Sequence, residues 1–296
     1  MQIGDWPGSK NLNEIYRNIR ALGLETNLAE IEAFGFTIIE NAIPKDTVTK
    51  MRDAVLKEAE RRYKTRIDMD NSGNFQDWKL LPYMLFKDPA FADAVLHPKG
   101  LALVDYFLGP SCILHSLVSH PKGPGGEGRP LHADTGTNVP SPMASYEQGI
   151  NCYYFLTDDT KEGGALSIVP GSHRESRQPT PAESSMSGAT ANPNAIAVEG
   201  RSGTMAVFIG KVWHGSFPRT IPGLRVNLSA AYVRPYFAPL EDYKNTVTLE
   251  FLERHGGRDS RMAQLLALNT WWGWRDEGPN PELVARTKGV NRTWHG

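Results

Sequence analysis

Between residues 112 and 233 the chain contains short stretches rich in β-branched and aromatic residues, separated by turn-forming residues. Such stretches favour extended strands, and short strands that recur between turns are typical of an antiparallel sandwich or barrel. The predicted strands cover residues 112–119, a segment around His132, and residues 150–156, 165–169, 204–209 and 224–233. The sequence therefore predicts a mainly β core.

Helical patterns lie before and after this core, because apolar residues recur there at helical spacing. The predicted helices cover residues 11–22, 27–35, 44–66, 88–96, 98–108 and parts of 241–268, and one strand is predicted at 36–39. There is no internal repeat and no clean boundary. We therefore expect a single domain over 1–296, with a helical part to about residue 110, a core over about 111–236 and a helical extension over 237–296.

Three segments allow more than one interpretation. Residues 172–198 are rich in Ser, Pro, Ala and Asn and show no periodicity, so they form a long loop of the kind that often serves as a lid. The basic run Arg61–Arg66 either complements the dipole at a helix C-terminus or binds an anion. The tryptophans between Trp271 and Trp294 form either a substrate wall or a clamp on the surface of the core.

Composition limits the classes of function. The 296 residues carry a formal net charge of −1, so no basic excess points to nucleic acid or to an anionic membrane. Cys112 and Cys152 form no C-x-x-C motif and are expected to be buried thiols in a reducing compartment. The N-terminus lacks a signal pattern and no apolar run reaches membrane-spanning length, so a cytoplasmic location is expected.

His132 and Asp134 place an imidazole and a carboxylate two residues apart. On a strand these side chains point the same way and could hold one ion, while Leu131 and Ala133 face the opposite layer. The pattern alone is weak, since the chain has eight histidines and His173–Glu175 offers a rival pair. A metal site needs at least one further ligand from a distant part of the chain.

His214 is the best candidate for that ligand, because it directly follows an apolar strand and so lies at a strand end. Two histidines and one aspartate on one face of a metal leave three adjacent positions open, as in non-haem Fe(II) oxygenases. A chelating keto acid takes two of these positions and dioxygen takes the third. We expect a structural role for His173, which lies in a turn, and His120 remains open as a group beside the ligands.

An anion site is predicted near His214. Arg225 lies eleven residues further on, after a turn-forming segment, and its planar guanidinium can bind a carboxylate through two hydrogen bonds. Leu224 and Val226 flank it inside a predicted strand, where an unpaired structural cation would be costly. Ser216, two residues after His214, could add a hydroxyl on the same face.

The chain resembles the phytanoyl-CoA dioxygenase family of Fe(II)/2-oxoglutarate-dependent oxygenases. Three motifs carry the resemblance: His132-x-Asp134, the segment Gly164–His173 with its P-G-S-H ending, and His214-x-Ser216 with Arg225 beyond it. The stretch Phe34–Ile39, followed by a helix that starts at a proline, is also similar to the opening of that family. The resemblance extends from about Ile31 to Tyr236.

This resemblance implies a double-stranded β-helix core, also called a jelly-roll or cupin-like core. It implies Fe(II) on His132, Asp134 and His214, and 2-oxoglutarate held at its distal carboxylate by Arg225 and Ser216. With dioxygen as the oxidant, the implied reaction oxidises an aliphatic C–H of a small molecule, most often by hydroxylation, and releases succinate and carbon dioxide. Halogenating relatives replace the carboxylate ligand, so Asp134 favours hydroxylation or a related oxidation.

Two other classes of function remain open on the sequence. A cupin-like isomerase or hydrolase would use the same ligands for a non-redox metal, and a catalytically inactive jelly roll would only bind. The substrate is either an acyl-CoA or a natural-product scaffold, and a homo-oligomer is possible.

Overall fold

A computed structural model of the chain describes residues 7–71, 80–125, 127–135, 139–269 and 276–278. The larger part of the helical structure precedes the β core. These helices, with the short strand β1 among them, are α1 (Pro7–Ala21), α2 (Glu25–Phe34), β1 (Phe36–Ile39), α3 (Lys45–Tyr63), α4 (Ala90–Val95) and α5 (Pro98–Leu108).

The core and the segments after it follow in chain order. They are β2 (Ile113–Val118), β3 (Gly149–Phe155), β4 (Leu166–Ile168), α6 (Pro181–Ser184), β5 (Ile196–Val198), β6 (Met205–Ile209), β7 (His214–Ser216), β8 (Asn227–Val233), α7 (Tyr243–Thr246), α8 (Leu249–Arg254) and α9 (Arg261–Leu265). Within the described residues, none of the helices combines the length and the apolar character needed to cross a bilayer.

The strands form two antiparallel sheets. The larger sheet has the order β1-β6-β3-β8-β2, and the smaller has the order β5-β4-β7. Side chains from both sheets line one cavity, which lies between them. This arrangement is a jelly-roll core with flanking helices, as the sequence predicted.

Helices cover the outer face of the larger sheet, and its strands β3 and β6 are buried on both sides. Tyr154 of β3 donates from its hydroxyl to the carbonyl oxygen of Ala94 at 2.6 Å, and Tyr232 of β8 donates to that of Val95 at 2.8 Å. A strand buried on both faces has a continuous apolar pattern, and that pattern made β3 predictable. Cys112 and Cys152 are free and buried, and burial raises the pKa of the Cys112 thiol to about 12.

One predicted strand does not form within the described residues 127–135. The stretch around His132 forms a single antiparallel bridge to His214 and no continuous ladder. Pro130 cannot donate to a ladder, and the residues after it bond to different segments. Leu131 donates to Ser184, His132 to His214, Ala133 to Gln178 and Thr135 to Gly210.

The segment 172–198 is more ordered than the predicted loop. It contains a 3₁₀ turn at Ser172–Glu175, the helix α6, a second 3₁₀ turn at Gly188–Thr190 and the edge strand β5. Residues 270–275 and 279–296 lie outside the described part of the chain, so the prediction for the tryptophans of the tail lies there as well.

The basic run at the end of α3 is partly neutralised. Arg61 and Arg62 each pair with Glu58, at 2.7 and 2.6 Å. Hydrogen bonds from Arg61 come first among the causes that lower the pKa of Glu58 to about 2. These contacts favour the helix-end interpretation of the run over an anion-binding patch.

Candidate metal centre

His132, Asp134 and His214 come together at the cavity. One donor atom from each of them lies within 4.8 Å of the other two. The Nε2 atom of His132 is 3.4 Å from one carboxylate oxygen of Asp134, and the Nε2 atom of His214 is 3.5 Å from the other. The distances between these donors suit a single ion.

A backbone bridge brings the two histidines together. His132 and His214 exchange two backbone hydrogen bonds, at 2.9 and 3.0 Å, and their ring centroids are 4.4 Å apart. Leu131 and Ala133 point the other way, into a second apolar cluster that includes Trp213. The alternation expected of an extended stretch therefore holds here, although the stretch is not a regular strand.

Each histidine is fixed in one tautomer. The Nδ1 atom of His132 lies 3.0 Å from the carbonyl oxygen of Pro130, and that of His214 lies 3.0 Å from the carbonyl oxygen of Val212. A carbonyl oxygen can only accept, so each Nδ1 carries the hydrogen and donates. In a neutral ring the lone pair is then on Nε2, the atom that faces Asp134, and this is the usual arrangement of metal-binding histidines.

The charges of these groups also suit a cation. Burial acts to raise the pKa of Asp134, but the imidazoles of His214 and His132 and the amide of Asn151 hold it well below its usual range. The Asn151 amide nitrogen donates to Asp134 at 2.9 Å. Burial lowers the pKa of His214 to about 4. At neutral pH the set is one carboxylate with at least one neutral imidazole, the protonation state that metal ligands require.

The cavity has a volume of about 450 Å³ and extends to both sides of the centre. Along β3, Gly149, Asn151 and Tyr153 line it in that order, and Asn151 contacts Asp134. We call the side lined by Lys122, Ser216 and Arg225 the basic end. We call the opposite side the apolar end, and it is lined by His115, Gln148, Val233, Phe237 and Leu240.

Arg225 is the central residue of the basic end. It is 4% exposed, and its guanidinium donates to the carbonyl oxygens of Gly164 and His120. Its Nε–H finds no acceptor, and the buried Asp159 acts on it electrostatically without forming an ion pair with it within the described part of the chain. A buried cation in this state has the capacity to bind an anion.

Ser216 also lines the basic end of the cavity. Its hydroxyl oxygen accepts from the Lys122 amine at 3.0 Å and from the backbone N–H of Arg129 at 3.1 Å. Since these contacts use both lone pairs, the hydroxyl proton is the group left for a ligand. The buried Lys122 adds a second positive charge, which the sequence did not reveal because this residue lies in a glycine- and proline-rich connection.

Two further histidines, His173 and His120, differ in their position relative to the cavity. His173 is buried against the turn between α2 and β1, where a Cβ on Gly35 would lie 2.8 Å from its Nδ1, so the rival pair with Glu175 is not part of the centre. His120 does line the cavity. Burial, with the nearby Arg129 and Arg225, lowers its pKa to about 3, so it is neutral.

Comparisons with known proteins agree with this geometry. The sequence profile described as Phytanoyl-CoA dioxygenase (PhyH) matches residues 31–226. An uncharacterised protein of Mycobacterium tuberculosis is 24% identical over 220 residues, which cover 72% of this chain and 76% of the relative.

Two solved structures share the fold. HygX from Streptomyces hygroscopicus, with nickel and 2-oxoglutarate bound, superposes with a TM-score of 0.57 at 17% identity, over 73% of this chain and 88% of HygX. SnoK, a non-haem alpha-ketoglutarate dependent carbocyclase from nogalamycin biosynthesis, gives a TM-score of 0.54 at 20% identity, over 71% of this chain and 84% of SnoK. The profile match confirms the resemblance and the oxidoreductase class inferred from the sequence. The chain belongs to the phytanoyl-CoA dioxygenase family.

Proposed function

We propose that the protein is an Fe(II)/2-oxoglutarate-dependent oxygenase that oxidises a small molecule by hydroxylating an aliphatic C–H. One observation carries the proposal: two imidazoles and a carboxylate converge beside a buried arginine that has no ion-pair partner among the described residues. Two structural relatives support it, because HygX is described with 2-oxoglutarate bound and SnoK is described as alpha-ketoglutarate dependent.

The donor set fits Fe(II). Two histidines and one carboxylate on one face are the ligands that non-haem Fe(II) oxygenases use. The Nε2 atom of His132 is buried without a hydrogen-bond partner, an arrangement that a metal ion would satisfy. Bound iron would supply the activation of dioxygen, at the expense of 2-oxoglutarate, which becomes succinate and carbon dioxide.

The basic end binds the distal carboxylate of 2-oxoglutarate in this proposal. Arg225 supplies a buried guanidinium, and Ser216 has only its hydroxyl proton left to donate. Lys122 adds positive charge and orients Ser216 through their hydrogen bond. Together these residues would fix the orientation of the keto acid at the metal.

The apolar end would hold the substrate. Val233, Phe237 and Leu240 give it apolar walls, and none of the five residues named for this end is a lysine or an arginine, while Arg129, which also lines the cavity, interacts with Asp134. Arg234, which lies close by, donates to the backbone carbonyls of Phe107, Leu108 and Glu147. A neutral, largely apolar small molecule fits this end better than an acyl-CoA, whose phosphates need cations.

A single domain, a homo-oligomer and a cytoplasmic location stay predictions from the sequence.

Calorimetric titration of 2-oxoglutarate into Mn(II)-loaded and metal-free protein tests the proposal. We expect tight binding to the loaded protein alone, because the keto acid would chelate the metal and reach Arg225. Glutarate is the matched control, since it keeps both carboxylates but lacks the keto group, and it should bind weakly to either form. Equal binding of 2-oxoglutarate with and without metal would contradict the proposal and favour a non-redox cupin or a binding protein.

A further inference from the structure

Gln178 contacts the backbone between two of the proposed ligands from outside the cavity. Its Oε1 atom accepts from the N–H of Ala133 at 2.9 Å, and its Nε2 donates to the carbonyl oxygen of Ala133 at 2.6 Å. Ala133 lies between His132 and Asp134 and is 1% exposed, so water cannot replace either contact. One side chain therefore satisfies both backbone polar groups of the residue that joins two ligands.

The same segment also holds the chain just before His214. Ser172 accepts from the backbone N–H of Trp213 at 2.8 Å, and the indole of Trp213 donates to the carbonyl oxygen of Arg177 at 2.9 Å. The guanidinium of Arg177 stacks over the Trp213 ring at 4.7 Å. Residues 172–178 thus contact both ligand-bearing stretches.

Contacts within the segment keep it in place. Arg177 binds both carboxylate oxygens of Glu183, at 2.7 and 2.9 Å. Glu183 also forms a capping box with Thr180 at the start of α6. Ser184 then accepts from the backbone N–H of Leu131 at 2.8 Å. With these contacts, the segment forms a fixed support for the ligand-bearing stretches rather than a lid.

We propose that Gln178 is a positioning residue, which fixes the direction in which His132 and Asp134 present their donor atoms. This inference rests on the proposed function of the centre. Among the described residues, one bridge and single backbone hydrogen bonds join the stretch around His132 to its neighbours, and Gln178 adds two contacts at Ala133, where a displacement would move two ligands at once. Partners that orient metal ligands in this way commonly change metal affinity by about 10- to 100-fold when they are removed.

The test is the Mn(II) dissociation constant of Gln178→Met, measured from the electron paramagnetic resonance signal of free Mn(II). Methionine keeps the length of glutamine and removes both hydrogen bonds. We expect a dissociation constant about 10- to 100-fold above that of the wild type. Gln264→Met is the matched control, because Gln264 is 4% exposed and donates to the carbonyl oxygen of Ser111 from α9, away from the cavity. It should lower the unfolding temperature and leave Mn(II) affinity unchanged.

Gln178→Glu makes the test independent of how well the methionine variant folds. It keeps an acceptor for the N–H of Ala133 but places a second acceptor against the carbonyl oxygen of that residue. Its added negative charge would by itself favour a cation, so weaker Mn(II) binding can only arise from displaced ligands. Wild-type affinity in both variants would overturn the inference and leave the proposed function intact. Failure of the wild type to bind Mn(II) would instead contradict the proposed function.

Discussion

The two ligand-bearing stretches of the centre are held in different ways. His214 begins β7, which pairs with β4, so a regular backbone ladder places its side chain. His132 and Asp134 lie on an irregular stretch whose successive N–H groups bond to Ser184, His214 and the side chain of Gln178. The comparison teaches that a regular backbone ladder places one ligand, while individual hydrogen bonds, one of them from a side chain, place the stretch that carries the other two.

The largest effect is expected from a substitution that removes the charged ligand from the irregular stretch. Asp134→Ala should abolish measurable Mn(II) binding, because Asp134 supplies the negative charge of the set and contacts both imidazoles. His255→Gln is the control, since His255 lies on the C-terminal side of α8 and bonds to Phe251. Equilibrium dialysis against Mn(II) measures both variants. Retention of one tightly bound ion in Asp134→Ala would contradict this prediction, because Asp134 would then not be an essential ligand.

Arg225→Met should weaken 2-oxoglutarate binding to the Mn(II)-loaded protein by about 10- to 100-fold, because a hydrogen bond to a charged group contributes about 1.5–3 kcal/mol. Mn(II) affinity should not change, since Arg225 lies beyond the donor atoms. Arg219→Met is the control: this buried arginine bonds to the carbonyl oxygens of Gly163, Pro222 and Gly223. Calorimetry that finds equal losses in both variants would remove the anion-binding role of Arg225.

Asn151→Ala sharpens the comparison between the two kinds of support. Asn151 lies on β3 and donates to Asp134 at 2.9 Å, so it orients a ligand from a regular strand. We expect about a 10-fold rise in the Mn(II) dissociation constant, at the low end of the range expected for Gln178. Asn151 acts on one carboxylate, whereas Gln178 holds the backbone of two ligands. A larger loss in Asn151→Ala than in Gln178→Met would reverse the order that we infer.

The smallest effect on the centre is expected from a change that destabilises the fold elsewhere. Arg61 and Arg62 on α3 lower the pKa of Glu58 from 4.5 to about 2. Because the folded-state pKa is the lower one, this stabilisation is present above about pH 4.5 and is lost as the pH falls towards 2. Glu58→Gln should cost about 2 kcal/mol at pH 7, after a discount for the exposed Arg61.

Urea unfolding at pH 7 and at pH 3 checks this prediction, and the difference between variant and wild type should shrink at the lower pH. Mn(II) affinity at pH 7 should match the wild type, which separates a general loss of stability from a displaced ligand. A change in metal affinity in Glu58→Gln would show that global stability alone moves the centre.

Local patterns were sufficient for the elements that are buried along their whole length. The β-former run around Cys152 predicted β3 to within one residue at each end, and its register then follows from neighbouring strands. The spacing of His132 and Asp134 and the place of His214 after an apolar strand also indicated the three proposed ligands, which the fold brings together.

Contacts between distant residues were not predictable in this way. Gln178 lies 45 residues from Ala133, and Lys122 lies 94 residues from Ser216, so no periodicity links either pair. The same limit explains why no regular strand forms at His132, since the hydrogen-bond partners of this stretch lie in two distant segments, 172–198 and 210–216. It also explains β5, a three-residue edge strand with too few buried residues to leave a pattern.

Anaerobic titration of the metal-free protein with Fe(II) and then with 2-oxoglutarate tests the central claim most directly. A keto acid chelated to Fe(II) gives a weak charge-transfer band in the visible range. We expect this band in the wild type, its loss in His214→Ala and its weakening in Arg225→Met. Fe(II)-loaded wild-type protein that shows no band at saturating 2-oxoglutarate would contradict the account, because the centre would then bind metal without binding the co-substrate.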